Sequence, residues 1–341
     1  MKKLLAMSVI VALLVGLVLW LPQSETCPFT LVPPAKLSGR LEGRTVQSSA
    51  DPLAFVFHSK LDRSDDGSPN AYHIGYSGIG PDPGLDHICN GGSVLEYKDG
   101  RLVDKYRVGG SIGSLTDVDP GTGWSRSALC KDDYIKLRDA GFPACSPANQ
   151  CMLWYGIAST SRACGYPNDY GGINDQRCGV PIRQLDSKGA DRPYYLTKTG
   201  LRRPGSYDSA GQQSDYANAN ELPFIVLPKG FTLPDNVQWN VGDVALVFWK
   251  LKMVTAVVGD RGPREKLGEG SRELLRQLRG DGFSPIGGEN SVVTILLPKT
   301  ASTVLTDWPI DPKQLAKHGA VALSRFGGIQ KIKTCPTFTS N

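Results

Sequence analysis

The sequence predicts a mainly β protein in which short strands form a closed or nearly closed β-barrel. Short apolar runs bounded by Gly, Pro or Asp recur through the second half of the chain, as expected for a series of short strands. The 341 residues include 39 glycines and 24 prolines, which is typical of a turn-rich protein. Few segments have helical periodicity, and closure would leave no strand edge unpaired.

The predicted strands follow these apolar runs in chain order. Residues 53–60, with the sequence LAFVFHSK, form the first strand. Residues 93–97 and 102–108 form a hairpin, because the Asp99-Gly100 pair between them suits a type I′ turn. The later strands begin at Arg192 and continue with residues 222–227, 244–249, 253–258 and 292–297.

Three helices are predicted. Residues 134–140 form a short one, and residues 271–279 form a second. Residues 312–322 form the third, because Asp311 is suited to the N-cap and Pro312 to the first helical position.

The segment 254–278 organises the rest of the chain. A β-branched strand ends at Asp260, a Gly-Pro turn follows, and a leucine-rich helix begins just after Glu269. Paired carboxylates on rigid elements can serve as acid and base in the hydrolysis of a glycosidic bond. Asp at a strand end and Glu near a helix N-terminus also have ordinary turn and dipole roles, so the spacing alone leaves both interpretations open.

Composition excludes some functions. The hydrophobic content is 40%, and the net charge of +5 is scattered without a basic run, so nucleic-acid binding is not expected. Asp62, Ser64 and Asp66 match the first half of a calcium loop, but its twelfth position is His73 where Glu is needed. We therefore predict no metal and no cofactor, and we expect a monomer.

The N-terminus predicts export. Lys2 and Lys3 precede an apolar run over residues 4–22, which is typical of a signal peptide and also just long enough to span a membrane. Both a cleaved signal peptide and an uncleaved inner-membrane anchor remain open for residues 1–26. The protein is expected to be secreted or periplasmic. A Pro-rich lead-in over residues 27–49 follows.

Eight cysteines in an exported chain favour disulfides. Cys27 and Cys335 both lie in the sequence Thr-Cys-Pro near the two ends of the mature chain, so we predict that they pair. The other six fall between residues 89 and 178, with their connectivity open. They mark a cysteine-rich insertion over residues 89–190 within a single catalytic domain, residues 50–335.

A family resemblance covers about half of the chain, residues 50–90 and 190–300. Six motifs, in this order and with similar gaps, resemble the chitosanases of glycoside hydrolase family 75. The motifs are DDGSPNAYH at residues 65–73, PYY at 193–195, NELPFIVLP at 220–228, GDVA at 242–245, VVGDRGP at 257–263 and LGEGS at 267–271. The last two together, as D-x-G-P-x-x-x-x-G-E-G-S, are the most specific.

The resemblance implies endo-hydrolysis of β-1,4-linked glucosamine polymer with inversion, by a catalytic pair at Asp260 and Glu269. By analogy with the family it also implies a double-psi type of barrel. The roles of the pair stay open. Arg261 and Arg264, near in sequence, favour an ionised Asp260, which leans it toward base with Glu269 as acid, while the helix N-terminus pushes Glu269 the opposite way.

Because the glucosamine polymer is cationic, we expect its binding cleft to be lined by carboxylates and aromatic rings. The candidates for contacts with amines are Asp62, Asp65, Asp66 and Glu221. Those for stacking on sugar rings are Tyr72, Tyr194 and Tyr195, although alternating tyrosines also suit one packed face of a strand.

The insertion and the positive net charge leave two alternative functions. Partly deacetylated peptidoglycan is a competing polymer, since the insertion can wall the cleft and restrict what enters it. A non-catalytic envelope binding module is the third possibility, and retention of both carboxylates argues against it.

Overall fold

The computed structural model describes most of the chain beyond residue 26. The described residues are 27–32, 46–50, 53–75, 84–106, 126–166, 176–206, 212–233, 237–250, 252–263, 266–282, 284–288, 290–335 and 338. The predicted signal or anchor, residues 1–26, lies outside them. Within the described part, no helix combines the length and apolar character that a membrane span requires.

Strands and helices both contribute to the fold. The strands are β1 (Thr30–Val32), β2 (Val46–Ala50), β3 (Leu53–Ser59), β4 (Asp62–Ser64), β5 (Gly92–Lys98), β6 (Arg101–Asp104), β7 (Cys151–Trp154), β8 (Arg183–Leu185), β9 (Asp191–Tyr195), β10 (Phe224–Pro228), β11 (Val244–Trp249), β12 (Lys252–Gly262), β13 (Glu269–Ser271) and β14 (Val292–Leu297). The helices are α1 (Ile88–Gly91), α2 (Arg126–Asp139), α3 (Arg272–Arg279), α4 (Ala301–Val304), α5 (Pro312–Arg325) and α6 (Gly328–Lys333).

The prediction of a β-barrel, double-psi or otherwise, is wrong. The described strands form open sheets in a mixed α/β fold. The largest sheet has nine strands in the order β1-β2-β3-β14-β11-β12-β10-β13-β4, so that β1 and β4 are its two edges. A pair, β8-β9, and a three-stranded sheet, β6-β5-β7, lie outside it.

Other elements cover both faces of the main sheet. In β14, Val293, Ile295 and Leu297 pack in one apolar cluster with α5 and α6, while Val292 and Leu296 pack in another with α3. Strands buried on both faces have continuous apolar sequences. Such runs predict where strands lie, but they fit a covered open sheet as well as a barrel.

Most predicted elements are confirmed, some with the predicted bounds and others with different ends. β11 and β14 have the predicted bounds, and the hairpin of β5 and β6 turns through Asp99 and Gly100 with φ of 51° and 73°. Asp311 caps α5 by accepting a hydrogen bond from Lys313 N. The helix predicted at residues 134–140 is much longer, since α2 begins at Arg126.

The insertion supplies most of a further apolar core, to which Tyr72 and Tyr195 from outside it also belong. Trp154 of β7 and Tyr134 of α2 are fully buried together there, on one side of the β6-β5-β7 sheet. Disulfides Cys89–Cys130, Cys145–Cys151 and Cys164–Cys178 lie within this region. The four disulfides of the chain indicate an oxidising environment.

The fourth disulfide joins Cys27 to Cys335, the pairing that their shared Thr-Cys-Pro setting predicts. It closes a sequence separation of 308 residues. Beside it, Phe29 packs against Phe326 with ring centroids 5.3 Å apart. The N-terminal segment is thereby attached to the helical layer under the main sheet.

Because the Cys27–Cys335 disulfide closes a long loop, we expect it to contribute strongly to stability. Replacing both residues by Ser should lower the free energy of unfolding by up to about 5 kcal/mol, because the chain-entropy effect grows with loop length. The matched control removes Cys145–Cys151, whose separation is only 6 residues, and should cost about 2 kcal/mol on the same basis. Denaturant titration of both variants checks this, and equal losses would contradict it.

Candidate active site

Four adjacent strands bring Asp260 and Glu269 together. Val226 of β10 lies opposite Asp260 of β12 on one side and opposite Glu269 of β13 on the other. On the far side of β13, Asp62 of β4 lies opposite Glu269. Strands are about 4.8 Å apart, so the Cα atoms of Asp260 and Glu269 are roughly 9–10 Å apart.

A β-bulge decides which face Asp260 occupies. The register of β10 against β12 shifts after Ile225, so that Val226 opposes Asp260 instead of Gly259. Regular alternation would have placed Asp260 on the face of Val258, in the cluster packed against α3. The extra residue, Gly259, turns Asp260 to the opposite face, which Val226 shares.

Gly262 provides an independent check on that face. A Cβ built there would lie 2.9 Å from Val226 Cγ1 and 3.6 Å from Glu269 Oε2. Asp260 precedes Gly262 by two residues and therefore points the same way. Both carboxyl groups thus project from one face of the sheet. The predicted strand-turn-helix is corrected, since β12 continues to Gly262 and Glu269 lies on a short strand before α3.

The carboxyl of Asp260 is held by two backbone donors. Its Oδ1 accepts hydrogen bonds from Gly200 N at 2.8 Å and from Arg261 N at 2.7 Å. Burial is the main influence and raises its pKa to about 6, with Glu269 acting in the same direction, while the two backbone N–H groups and Lys229 oppose the rise. The Arg261 guanidinium lies over the Trp239 ring, 5.2 Å from its centroid.

Glu269 has a cationic neighbour. Lys266 Nζ lies 3.3 Å from Glu269 Oε2 and 3.6 Å from Asp62 Oδ2. Asp62 also pairs with Lys60 at 2.8 Å. Burial lowers the pKa of Lys266, but Glu269 and Asp62 raise it by more, so the net shift of the Lys266 pKa is upward. Lys266 therefore stays positively charged beside the Glu269 carboxylate.

Asp66 adds a third carboxyl to the site. Its Oδ1 accepts a hydrogen bond from Tyr72 Oη at 3.0 Å, and Thr197 Oγ1 lies 3.3 Å away. Burial raises its pKa well above the usual value, and the charges of Asp260 and Glu269 raise it further. The three carboxyl groups therefore act on one another.

A backbone segment from the main domain links Asp66 to Asp260. Thr197 contacts Asp66 through its hydroxyl, and Gly200 donates its N–H to Asp260. The insertion supports that segment, because the Gly156 carbonyl accepts from Lys198 N at 2.9 Å and lies 3.0 Å from Thr197 Oγ1.

Asp65 lies beneath the site and is nearly fully buried. Arg63 Nε is 2.9 Å from its Oδ2, and Arg272 Nε is 3.6 Å from its Oδ1. Burial raises its pKa to about 7, Asp86 adds to the rise, and the two arginines oppose it. Asp65 thus belongs to an internal ion-pair cluster.

The other predicted contacts are more dispersed. Tyr195 is buried in the core of the insertion, with its hydroxyl 3.0 Å from that of Tyr134. Tyr194 packs edge-on against His73, with ring centroids 5.3 Å apart. Glu221 is exposed on the loop before β10. Of the three predicted tyrosines, Tyr72 is the one whose hydroxyl donates a hydrogen bond to Asp66 within the described part of the chain.

Sequence reasoning missed four residues of the site: Lys266, Thr197, Gly200 and Gly156. Lys266 could have been predicted as an ion-pair partner of Glu269, because it precedes Glu269 by only three residues. Thr197, Gly200 and Gly156 contribute through tertiary contacts, and no spacing in the sequence signals those.

Comparison of the chain with protein-family models and with curated proteins finds no match. The resemblance to chitosanases therefore rests on the six motifs. Three of these motifs supply Asp66, Asp260 and Glu269, which the fold brings into one site.

The turn that presents Asp66 depends on Gly67, which has a φ of +86°. A Cβ there would lie 1.8 Å from the Ala217 carbonyl oxygen, and backbone cannot move aside cheaply. Gly67→Ala should therefore destabilise the protein by about 1–3 kcal/mol beyond the backbone strain of a positive φ.

The matched control is Gly189→Ala, since Gly189 has a φ of +81° but open space where a Cβ would be. It carries the strain without the clash. Thermal or denaturant unfolding compares the two variants, and equal destabilisation would contradict the importance of the close contact at Gly67.

Proposed function

We propose that the protein is a glycoside hydrolase that cleaves β-1,4-linked glucosamine polymer by an inverting mechanism, with Asp260 and Glu269 as the catalytic pair. The observation that carries the proposal is their placement on one face of the sheet, opposite the two sides of Val226. The motifs that contain both residues also resemble those of chitosanases.

The spacing supports inversion. Inverting enzymes hold their carboxyl groups about 6.5–9.5 Å apart, which leaves room for a water molecule, whereas retaining enzymes need about 5–5.5 Å. Two strand spacings give roughly 9–10 Å between the Cα atoms. The Glu269 side chain extends toward β12, since its Oε2 lies 3.6 Å from a Cβ position at Gly262.

The electrostatics support a division of roles. Asp260, with its pKa raised to about 6, can hold the proton that the leaving oxygen needs. Glu269 lies beside Lys266, which stabilises the negative charge that a base requires. Asp260 is therefore the general acid and Glu269 the general base that activates water.

The proposed location is the periplasm or the extracellular space. The disulfides fit this location, as do Lys2-Lys3 and the apolar run that follows them. The insertion places Gly156 against Asp66, where a Cβ would lie only 2.3 Å from Asp66 Oδ1. Because the insertion borders the site, partly deacetylated peptidoglycan is the second candidate substrate.

Removing either catalytic carboxyl should nearly abolish hydrolysis. Asp260→Asn and Glu269→Gln should each lower the release of reducing ends from chitosan at least about 100-fold, because each deletes a proton-transfer group. Assays on chitosan and on partly deacetylated peptidoglycan, with product anomers followed by NMR, test activity, polymer and inversion together.

Asp191→Asn is the matched control, since Asp191 is an exposed partner of Arg183 outside the site. It should retain wild-type rates. Near-wild-type activity in Asp260→Asn or Glu269→Gln would reject the assignment. A wild-type protein that binds either polymer without cleaving it would favour the binding module.

The pKa of Asp260 predicts the pH above which activity falls, which is the alkaline limb of the pH–rate profile. Asp260 is protonated below about pH 6 and loses its proton above it, so kcat/KM should fall about tenfold per pH unit beyond that point. Lys229 lowers the pKa of Asp260, and Lys229→Met should therefore move the limb to higher pH. Substrate ionisation is identical for both enzymes, so an unshifted limb would contradict Asp260 as the acid.

A further inference from the structure

The acidic residues of the site differ in how their charge is compensated. Asp62 pairs with Lys60 and Lys266, and Glu269 shares Lys266. Asp65 lies between Arg63 and Arg272. Among the described residues, Asp66 has no Lys or Arg within ion-pair distance, so its partners within the protein are hydroxyl groups.

The surroundings of Asp66 favour a cation that comes from outside. The ionisable groups that act on it are Asp260, Glu269, Asp86 and Tyr72, and the ionised forms of all four are negative. Its other contacts, Thr197 and the Gly156 backbone, are uncharged. Asp66 is partly buried, so part of the residue reaches solvent. A positive group placed there would interact favourably with three site carboxyl groups at once.

We propose that Asp66 is the specificity-determining residue for the 2-ammonium group of a glucosamine unit, and that it gives up a proton when the sugar binds. This inference rests on the proposed function. The O–H bond of the Asp66 carboxyl breaks, the proton passes to the buffer, and the resulting carboxylate accepts an N–H from the ammonium. The total charge of protein and sugar therefore falls by one on binding.

This exchange explains how a protein with a net charge of +5 can select a positively charged glucosamine polymer. Such a protein offers no overall attraction for a polycation, so recognition has to be local. A protonated Asp66 in the free protein avoids an uncompensated negative charge among the carboxyl groups of the site. An N-acetylated sugar has no ammonium to stabilise the Asp66 carboxylate, so the exchange would not take place with it.

Calorimetry of the full protein tests the exchange. An S-linked glucosamine tetrasaccharide, which resists hydrolysis, is titrated at about pH 5.5, where the amines are charged. Two buffers with different ionisation enthalpies report the protons released. The wild type should release about one proton per site more than Asp66→Asn does, and Asp66→Asn should bind about tenfold or more weakly.

Two controls separate this role from general electrostatics. Asp191→Asn, at an exposed carboxylate paired with Arg183 outside the site, should keep the proton release. The N-acetylated S-linked tetrasaccharide should bind the wild type without releasing a proton. Equal proton release by the wild type and by Asp66→Asn would overturn the proposal.

The wild-type measurement needs no variant, so the proposal remains testable even if Asp66→Asn does not fold. A wild type that hydrolyses chitosan but releases no proton on binding would reject the role of Asp66 and leave the proposed function intact. A wild type that neither binds nor hydrolyses the deacetylated sugar would reject both.

Discussion

The register between β10 and its two neighbours is the constraint on which the site depends. The bulge at Gly259 turns Asp260 to the face it shares with Glu269, while Arg261 falls on the other face and packs over Trp239. Gly259 is required there, since a Cβ would lie 2.4 Å from the Phe224 ring. Its carbonyl also accepts from Leu201 N at 2.8 Å, which holds the backbone segment that reaches Asp260. One extra residue thus positions the carboxyl and its hydrogen-bond donor.

Charge compensation then differentiates carboxyl groups that look alike in the sequence. Lys266 lies between Glu269 and Asp62 and forms an ion pair with each of them. Asp260 accepts hydrogen bonds from two backbone N–H groups, but burial dominates and raises its pKa to about 6. Asp66 has hydroxyl partners and two carboxyl neighbours, and burial together with those neighbours raises its pKa well above the usual value. The carboxyl groups therefore lie in different environments, as acid and base chemistry at one pH requires.

The sequence predicted local elements better than the way they assemble. The runs that became β11 and β14 were found because both faces of each strand are buried, which leaves a continuous apolar pattern. The same pattern contains no information about closure, so the barrel prediction failed. Asp260 and Glu269 were found because they lie in neighbouring motifs. Their common face was not predictable, since it depends on a bulge whose only signal is one glycine among 39.

The insertion is part of the site and not merely an appendage to it. Ile157 pairs with Thr197 in an antiparallel bridge, and Ala158 N donates to the Leu196 carbonyl at 2.8 Å, so the two segments share backbone hydrogen bonds. Thr197 in turn contacts Asp66. A shift of the insertion would therefore move a hydroxyl that binds the third carboxyl. Three disulfides stabilise this region: Cys89–Cys130, Cys145–Cys151 and Cys164–Cys178. The position of Thr197 beside Asp66 therefore depends on the insertion being in its oxidised state.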